Sequence, residues 1–115
     1  MKYFKREEFV CPCCGVEDMQ ETFLNMLDIA RGEAGVSFTI NSGYRCKSHN
    51  AKVGGATHSA HTTGYGVDIS CTSTANRFKI VNSLLARGFN RIGIANSFIH
   101  VDCDPSLPCK VIWVY

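Results

Sequence analysis

Two short stretches of this chain gather residue types that bind metals and move protons. The first is Ser59-Ala60-His61-Thr62-Thr63-Gly64-Tyr65-Gly66-Val67-Asp68, the second Ser97-Phe98-Ile99-His100-Val101-Asp102. In the first, His61 falls in a loop and Asp68 on the strand that follows, with Gly64 allowing a sharp turn between them. Strand alternation points Val67 and Ile69 one way and Gly66, Asp68 and Ser70 the other, so Asp68 faces away from the core, toward a cleft. In the second, the same period of two puts His100 and Asp102 on one face while Ile99 and Val101 pack inward. Two neutral imidazoles and one carboxylate suit a catalytic zinc ion, which keeps a fourth position for water.

These residues need elements to carry them. Asp18 to about Ala34 reads as a helix, with Phe23, Leu27 and Ala30 at i, i+4, i+7, Leu24 alongside, and Gly35 at its end. Val36 to Asn41 alternates apolar and polar, as a strand does. Ser42 to Thr63 reads as a long loop and Tyr65 to Ser70 as a strand. Ser73 or Thr74 caps a second helix to about Arg87, for which Phe78, Val81 and Leu85 form the expected buried stripe and Gly88 the stop. Three short strands follow, Arg91 to Ile94, Ser97 to Asp102 and Lys110 to Val114. This order predicts an α+β fold with helices packed on a small, mainly antiparallel sheet.

A length of 115 residues fits one domain, spanning 1–115, with room for a core but not for two. The net charge is +2 without a Lys/Arg run, too mild to argue for nucleic acid. No apolar run approaches the roughly 20 residues that cross a bilayer, and the first residues lack the apolar segment of a secretory signal. Synthesis in a cytoplasm, no membrane insertion and a monomer are the expectations.

His61, Gly64 and Asp68, preceded by Ser59, resemble the S-x-H-x-x-G-x-x-x-D signature of the zinc D-alanyl-D-alanine carboxypeptidase family, which shares a metal site with hedgehog-type domains. Ser42-Gly43-Tyr44-Arg45 is similar to its S-G-Y-R motif, and Asn50 with Gly54-Gly55 to its N-x-x-V-G-G stretch. Phe98 to Asp102 resembles its last H-x-D strand, and the opening, Phe4 and Glu8-Phe9 before a Cys-rich segment, is similar to short phage and prophage members. The resemblance implies a hedgehog/DD-peptidase-like fold and one catalytic zinc on His61, Asp68 and His100. It implies a peptidoglycan peptide as substrate, cut by a carboxypeptidase or endopeptidase of endolysin type that reaches the wall after release. Arg45 would hold a substrate carboxylate or stabilise an oxyanion. Many relatives carry a carboxylate three residues before the third ligand, where this chain has Ser97. Asp102 then has two readings, general base or orienter of a ligand histidine. A catalytically inactive zinc module that recognises wall peptide or a protein partner is the alternative to an enzyme.

Seven cysteines are many for 115 residues, and an odd number leaves at least one thiol unpaired in a monomer. Cys11-Pro12-Cys13-Cys14 contains C-x-x-C, but a zinc ribbon needs a second well-spaced pair, and Cys103 and Cys109 match poorly. The N-terminal cysteines read as structural, with Cys46 a neighbour to consider and a second, structural metal the lesser alternative. Cys103 and Cys109 bracket a loop and would pair only in an oxidising place. His58 and His49 read as solvated loop histidines, and Trp113 and Tyr115 as core or edge aromatics rather than sugar-stacking platforms. Tyr44 and Tyr65 flank the motifs without a catalytic assignment.

Overall fold

The computed structural model describes residues 1–115. A short 3₁₀ turn at Arg6–Phe9 precedes α1 (Glu21–Ala34), β1 (Thr39–Ser42), α2 (Lys47–Lys52), α3 (Ala60–Thr63), β2 (Gly66–Ser70), α4 (Thr74–Ala86), β3 (Arg91–Ile94), β4 (Phe98–Asp102) and β5 (Val111–Val114). The strands form one sheet in the order β1-β2-β4-β3-β5. Three pairings are antiparallel and the β3–β5 pairing is parallel. This is the α+β architecture that the order of elements predicts.

Strand parity divides the sheet into two chemically different faces. Val67, Ile69, Ile92, Ile99 and Val101 are fully buried on one face. There they join Phe23, Leu24, Leu27 and Ala30 of α1 and Ile80 and Leu84 of α4 in a single apolar cluster. Burying each large aliphatic or aromatic side chain contributes about 1.5–3 kcal/mol, so this layer holds the sheet flat against the helix pair. The other face is polar, and the register explains its composition. Asp68 pairs with His100, which pairs with Gly93, which pairs with Trp113. Gly66 pairs with Asp102, which pairs with Arg91. Residues directly opposite on neighbouring strands point to the same side, so two rows of chemistry-bearing residues stand side by side.

α1 ends where Gly35 adopts a left-handed conformation, and Ser73 caps α4 by accepting a hydrogen bond from the Asn76 amide at 3.2 Å. Two expectations need correction. The buried stripe of α4 is not Phe78, Val81 and Leu85, because Phe78 is 73% exposed and Leu85 46% exposed. Ile80 and Leu84 are buried instead, with Ser83 between them returning its hydroxyl to the Ile80 carbonyl at 2.9 Å. The helix carries two apolar stripes about one residue step, roughly 100°, apart, and packing against α1 selects one of them. The stretch from Ser42 to Thr63 is also not all loop. It holds α2, capped by the Cys46 sulfur, and α3, capped by the Ser59 hydroxyl. Helices this short are held by caps and tertiary contacts rather than by periodicity, so no pattern announces them.

Candidate metal centre

His61 is placed by α3, one turn long. The Ser59 hydroxyl accepts from the His61 amide at 3.2 Å, and Gly64 closes the turn with φ of 79°. A side chain at Gly64 would lie 2.1 Å from the Asp18 carbonyl, so the reversal that feeds β2 requires glycine twice over. The imidazole is buried, and its Nδ1 stands 2.8 Å from the Gly43 carbonyl. A carbonyl only accepts, so Nδ1 carries the proton and Nε2 presents its lone pair in the neutral ring. That Nε2 lies 3.3 Å from Asp68 Oδ1.

His100 reaches the same oxygen from the neighbouring strand. Its Nε2 lies 2.7 Å from Asp102 Oδ2, and its Nδ1 lies 2.9 Å from Asp68 Oδ1. Asp102 is 1% exposed, and its Oδ1 accepts from Arg91 Nε at 2.7 Å and from the Asp104 amide at 3.4 Å. With its other oxygen engaged by the Arg91 guanidinium, the Asp102 carboxylate accepts a hydrogen bond from the His100 Nε2–H. The Nδ1 lone pair of a neutral His100 then also faces Asp68 Oδ1.

The donor count identifies what this point wants. With both rings neutral, one carboxylate oxygen confronts two nitrogen lone pairs in a buried place. That arrangement is repulsive unless a cation stands among the three atoms. The three ligand atoms lie within 4.8 Å of one another. Two imidazole nitrogens and a carboxylate oxygen form the donor set of a catalytic zinc site. The electrostatics agree in direction. With no cation there, a proton on each ring takes its place: burial alone would raise the Asp68 carboxyl, but hydrogen bonds from protonated His100 and His61 and their charge hold it well below the usual carboxylate range. Burial lowers the pKa of His100, and its bonds to Asp102 and Asp68 outweigh this and raise it. The negative field that draws a proton to His100 also draws a metal ion.

A family model described as Peptidase M15 matches residues 2–102. The chain belongs to the M15 peptidase family. M15 peptidases are zinc enzymes, in agreement with the donor set of His61, Asp68 and His100. No curated protein matches the chain. The match runs through β4 and stops short of β5, so one strand of this M15 peptidase's cleft lies outside it.

The centre sits in a cleft of about 680 Å³, whose wall includes Arg45, His58, Phe98, Leu107, Trp113 and Tyr115. Arg45 spreads its guanidinium over three partners. Nε donates to Ser42 Oγ at 3.1 Å, NH1 to Asn50 Oδ1 at 3.2 Å and NH2 to Asp68 Oδ2 at 3.3 Å. It thereby fixes the oxygen of Asp68 that the histidines leave free. Ser97 is exposed and does not line the cleft. His58 is exposed and stands on the cleft wall, whereas His49 does not line it. Tyr44 and Tyr65 pack against the apolar cluster.

Sequence reasoning passes over Arg91 and does not place Trp113 and Tyr115 on the cleft. Arg91 was not singled out, yet it holds Asp102 and lies with its Cζ 5.1 Å from the Trp113 ring centroid. Trp113 stacks obliquely on His100 with ring centroids 5.6 Å apart, and Tyr115 packs on Phe98 at 5.0 Å. Trp113 on the edge strand β5 and Tyr115 just after it are edge aromatics, and from that edge they line the cleft. Their alternation on β5 was visible, but the parallel pairing that brings them beside β3 and His100 was not.

Proposed function

We propose that this chain is a zinc-dependent peptidase that hydrolyses an amide in the peptide part of bacterial peptidoglycan, acting as a carboxypeptidase or endopeptidase of endolysin type. The observation that carries the metal-dependent part is the convergence of two imidazole lone pairs on Asp68 Oδ1 at the floor of an open cleft. His61 Nε2, Asp68 Oδ1 and His100 Nδ1 would hold one zinc ion. When bound, zinc supplies a water acidified toward neutral pH and a Lewis acid for the scissile carbonyl. The protein supplies the rest. The Gly43 carbonyl sets the tautomer of His61 and Asp102 sets that of His100, so each ring aims a bare nitrogen at the same point.

Arg45 keeps Asp68 in register and places a fixed positive charge on the wall, where a peptide carboxylate or a developing oxyanion would lie. Trp113, Tyr115 and Phe98 give the substrate an apolar part of the cleft lining. For Asp102 we favour the positioning role over that of base. It is buried and both oxygens are engaged, so its task is to hold His100. His58 also stands on the cleft wall. The protein would work as a monomer, on cell wall that it reaches after release from the cell that makes it. The peptidoglycan assignment draws its support from the S-x-H-x-x-G-x-x-x-D, S-G-Y-R and H-x-D resemblance.

One observation favours the alternative, a zinc module that binds wall peptide without cutting it. Asp68 and Asp102 are the two carboxylates of the cleft, and both are committed. The deciding experiment incubates the protein with purified peptidoglycan and follows new amino and carboxyl groups, with chelator, with zinc restored, and with His61→Ala. Zinc-dependent release lost in His61→Ala supports the peptidase, and the fragments name the bond. Zinc-dependent sedimentation with the wall and no release supports the binding module.

A further inference from the structure

Outside the cleft lining, the cysteines of the N-terminal segment meet one that is remote in sequence. Cys11 and Cys14 come from the turn after the 3₁₀ helix, and Cys46 from the residue that follows Arg45. Their three sulfur atoms lie within 4.8 Å of one another. We propose that Cys11, Cys14 and Cys46 bind a second zinc ion, structural in role, that clamps the N-terminal segment to the loop bearing Arg45.

Three features of the geometry carry this. First, the spacing suits a tetrahedral thiolate site. With Zn–S bonds of about 2.3 Å and tetrahedral angles, bound sulfurs stand roughly 3.8 Å apart. Cys11 Sγ and Cys46 Sγ are 3.7 Å apart. Second, backbone amides are aimed at the sulfurs, as anionic thiolates require. The Cys46 amide donates to Cys11 Sγ at 3.5 Å and the His49 amide to Cys46 Sγ at 3.4 Å. Third, the C-x-x-C turn is built to present its sulfurs. The Gly15 amide donates to the Cys11 carbonyl and the Cys11 amide to the Val16 carbonyl, each at 2.8 Å, and Gly15 folds the chain back at φ of 72°. C-x-x-C on a tight turn with a third cysteine from elsewhere is the ligand pattern of structural zinc, and thiolates select such a soft-accepting ion.

The place of this cluster gives it a task. The Tyr44 amide donates to the Phe9 carbonyl at 2.9 Å, so residues 9–11 and 44–46 already run together. A metal at Cys46 would fix the backbone one residue from Arg45 and three from Gly43, whose carbonyl sets the tautomer of His61. The two metals would be about independent in binding and coupled in consequence, since the cysteines hold a loop and not the catalytic ion. This inference does not depend on whether the cleft hydrolyses peptide.

The test reads metal content and cobalt spectra on full-length protein purified under reducing conditions. About two zinc ions per chain are expected for wild type and about one for His61→Ala. Cobalt-loaded His61→Ala should show the sulfur-to-cobalt charge-transfer band that a histidine–carboxylate site cannot give. Cys14→Ser combined with Cys46→Ser should lose that band and one zinc while keeping the metal at His61, Asp68 and His100. No metal in reduced His61→Ala, or bound cobalt without the charge-transfer band, would overturn the proposal. So would an unchanged band in the double cysteine variant, or a Cys11–Cys46 disulfide in the isolated protein. If the double cysteine variant does not fold, the His61→Ala measurements decide alone.

Discussion

Asp102 holds His100 through a hydrogen bond of 2.7 Å between Oδ2 and Nε2, and in doing so turns the opposite nitrogen of the ring toward Asp68. The bond joins residues i and i+2 of one strand, where side chains on the same face stand roughly 6–7 Å apart at their bases, and Arg91 Nε donates to the other carboxylate oxygen at 2.7 Å. A buried carboxylate so engaged is suited to orienting a ligand.

Asp102→Asn tests this assignment. The amide keeps the shape and loses the charge that fixes the His100 tautomer. Zinc affinity at the centre should fall about 10–100-fold, with activity restored in part by excess zinc. If Asp102 were instead the base, activity would vanish while zinc affinity, measured by competition with a chromophoric chelator, stayed at the wild-type value.

Arg45→Lys replaces a planar fork by a point charge. Lysine cannot reach Ser42, Asn50 and Asp68 together as the guanidinium does. A loss of about 10–100-fold in kcat/KM is expected, equivalent to about 1.4–2.8 kcal/mol of transition-state binding. Zinc content should stay near the wild-type level because lysine keeps a positive charge beside Asp68, and a loss of zinc that accounts for the whole loss of activity would reduce Arg45 to a residue that holds Asp68.

Gly93→Ala addresses the aromatic wall. A methyl group there would lie 2.6 Å from Trp113 Nε1 and 2.9 Å from the Tyr115 ring, so both aromatic side chains must shift. Overpacking of this kind costs about 1–3 kcal/mol. We expect a lower Tm and a raised KM for wall substrate, with tryptophan fluorescence shifted toward the solvent-exposed value. An unchanged spectrum and KM would remove Trp113 from the substrate wall.

The cysteines outside the N-terminal cluster should differ sharply in reactivity. Burial pushes the Cys103 thiol up to about 11, and the charges of Asp102 and Asp104 add to it. A raised thiol pKa means the neutral, unreactive form dominates until the pH approaches that value, so at pH 8 only about one Cys103 in a thousand is a thiolate. Cys109 is exposed. Peptide mapping after brief iodoacetamide treatment at pH 8 should find Cys109 labelled and Cys103 intact, and equal labelling would show that the surroundings of Cys103 are open.

His61, Asp68 and His100 were singled out from the family resemblance together with strand alternation, and the structure brings their ligand atoms within 4.8 Å of one another. Alternation on a strand fixes which face Asp68 and His100 take, and Gly64 announces the turn that swings His61 back over β2. The α+β class was legible, since the apolar periods of α1 and the short strands are properties of single segments. What the sequence left open involves choices among distant partners. The stripe of α4 that is buried depends on where α1 lies. The engagement of Asp102 depends on Arg91 arriving from β3, the position of Trp113 against His100 depends on a parallel β3–β5 pairing, and the thiol cluster depends on Cys46 meeting a turn 35 residues earlier. Hydrophobic period and turn chemistry act within a segment and so can be read along the chain. Strand order, helix rotation and the convergence of side chains are set by packing between segments, and only the tertiary structure decided them.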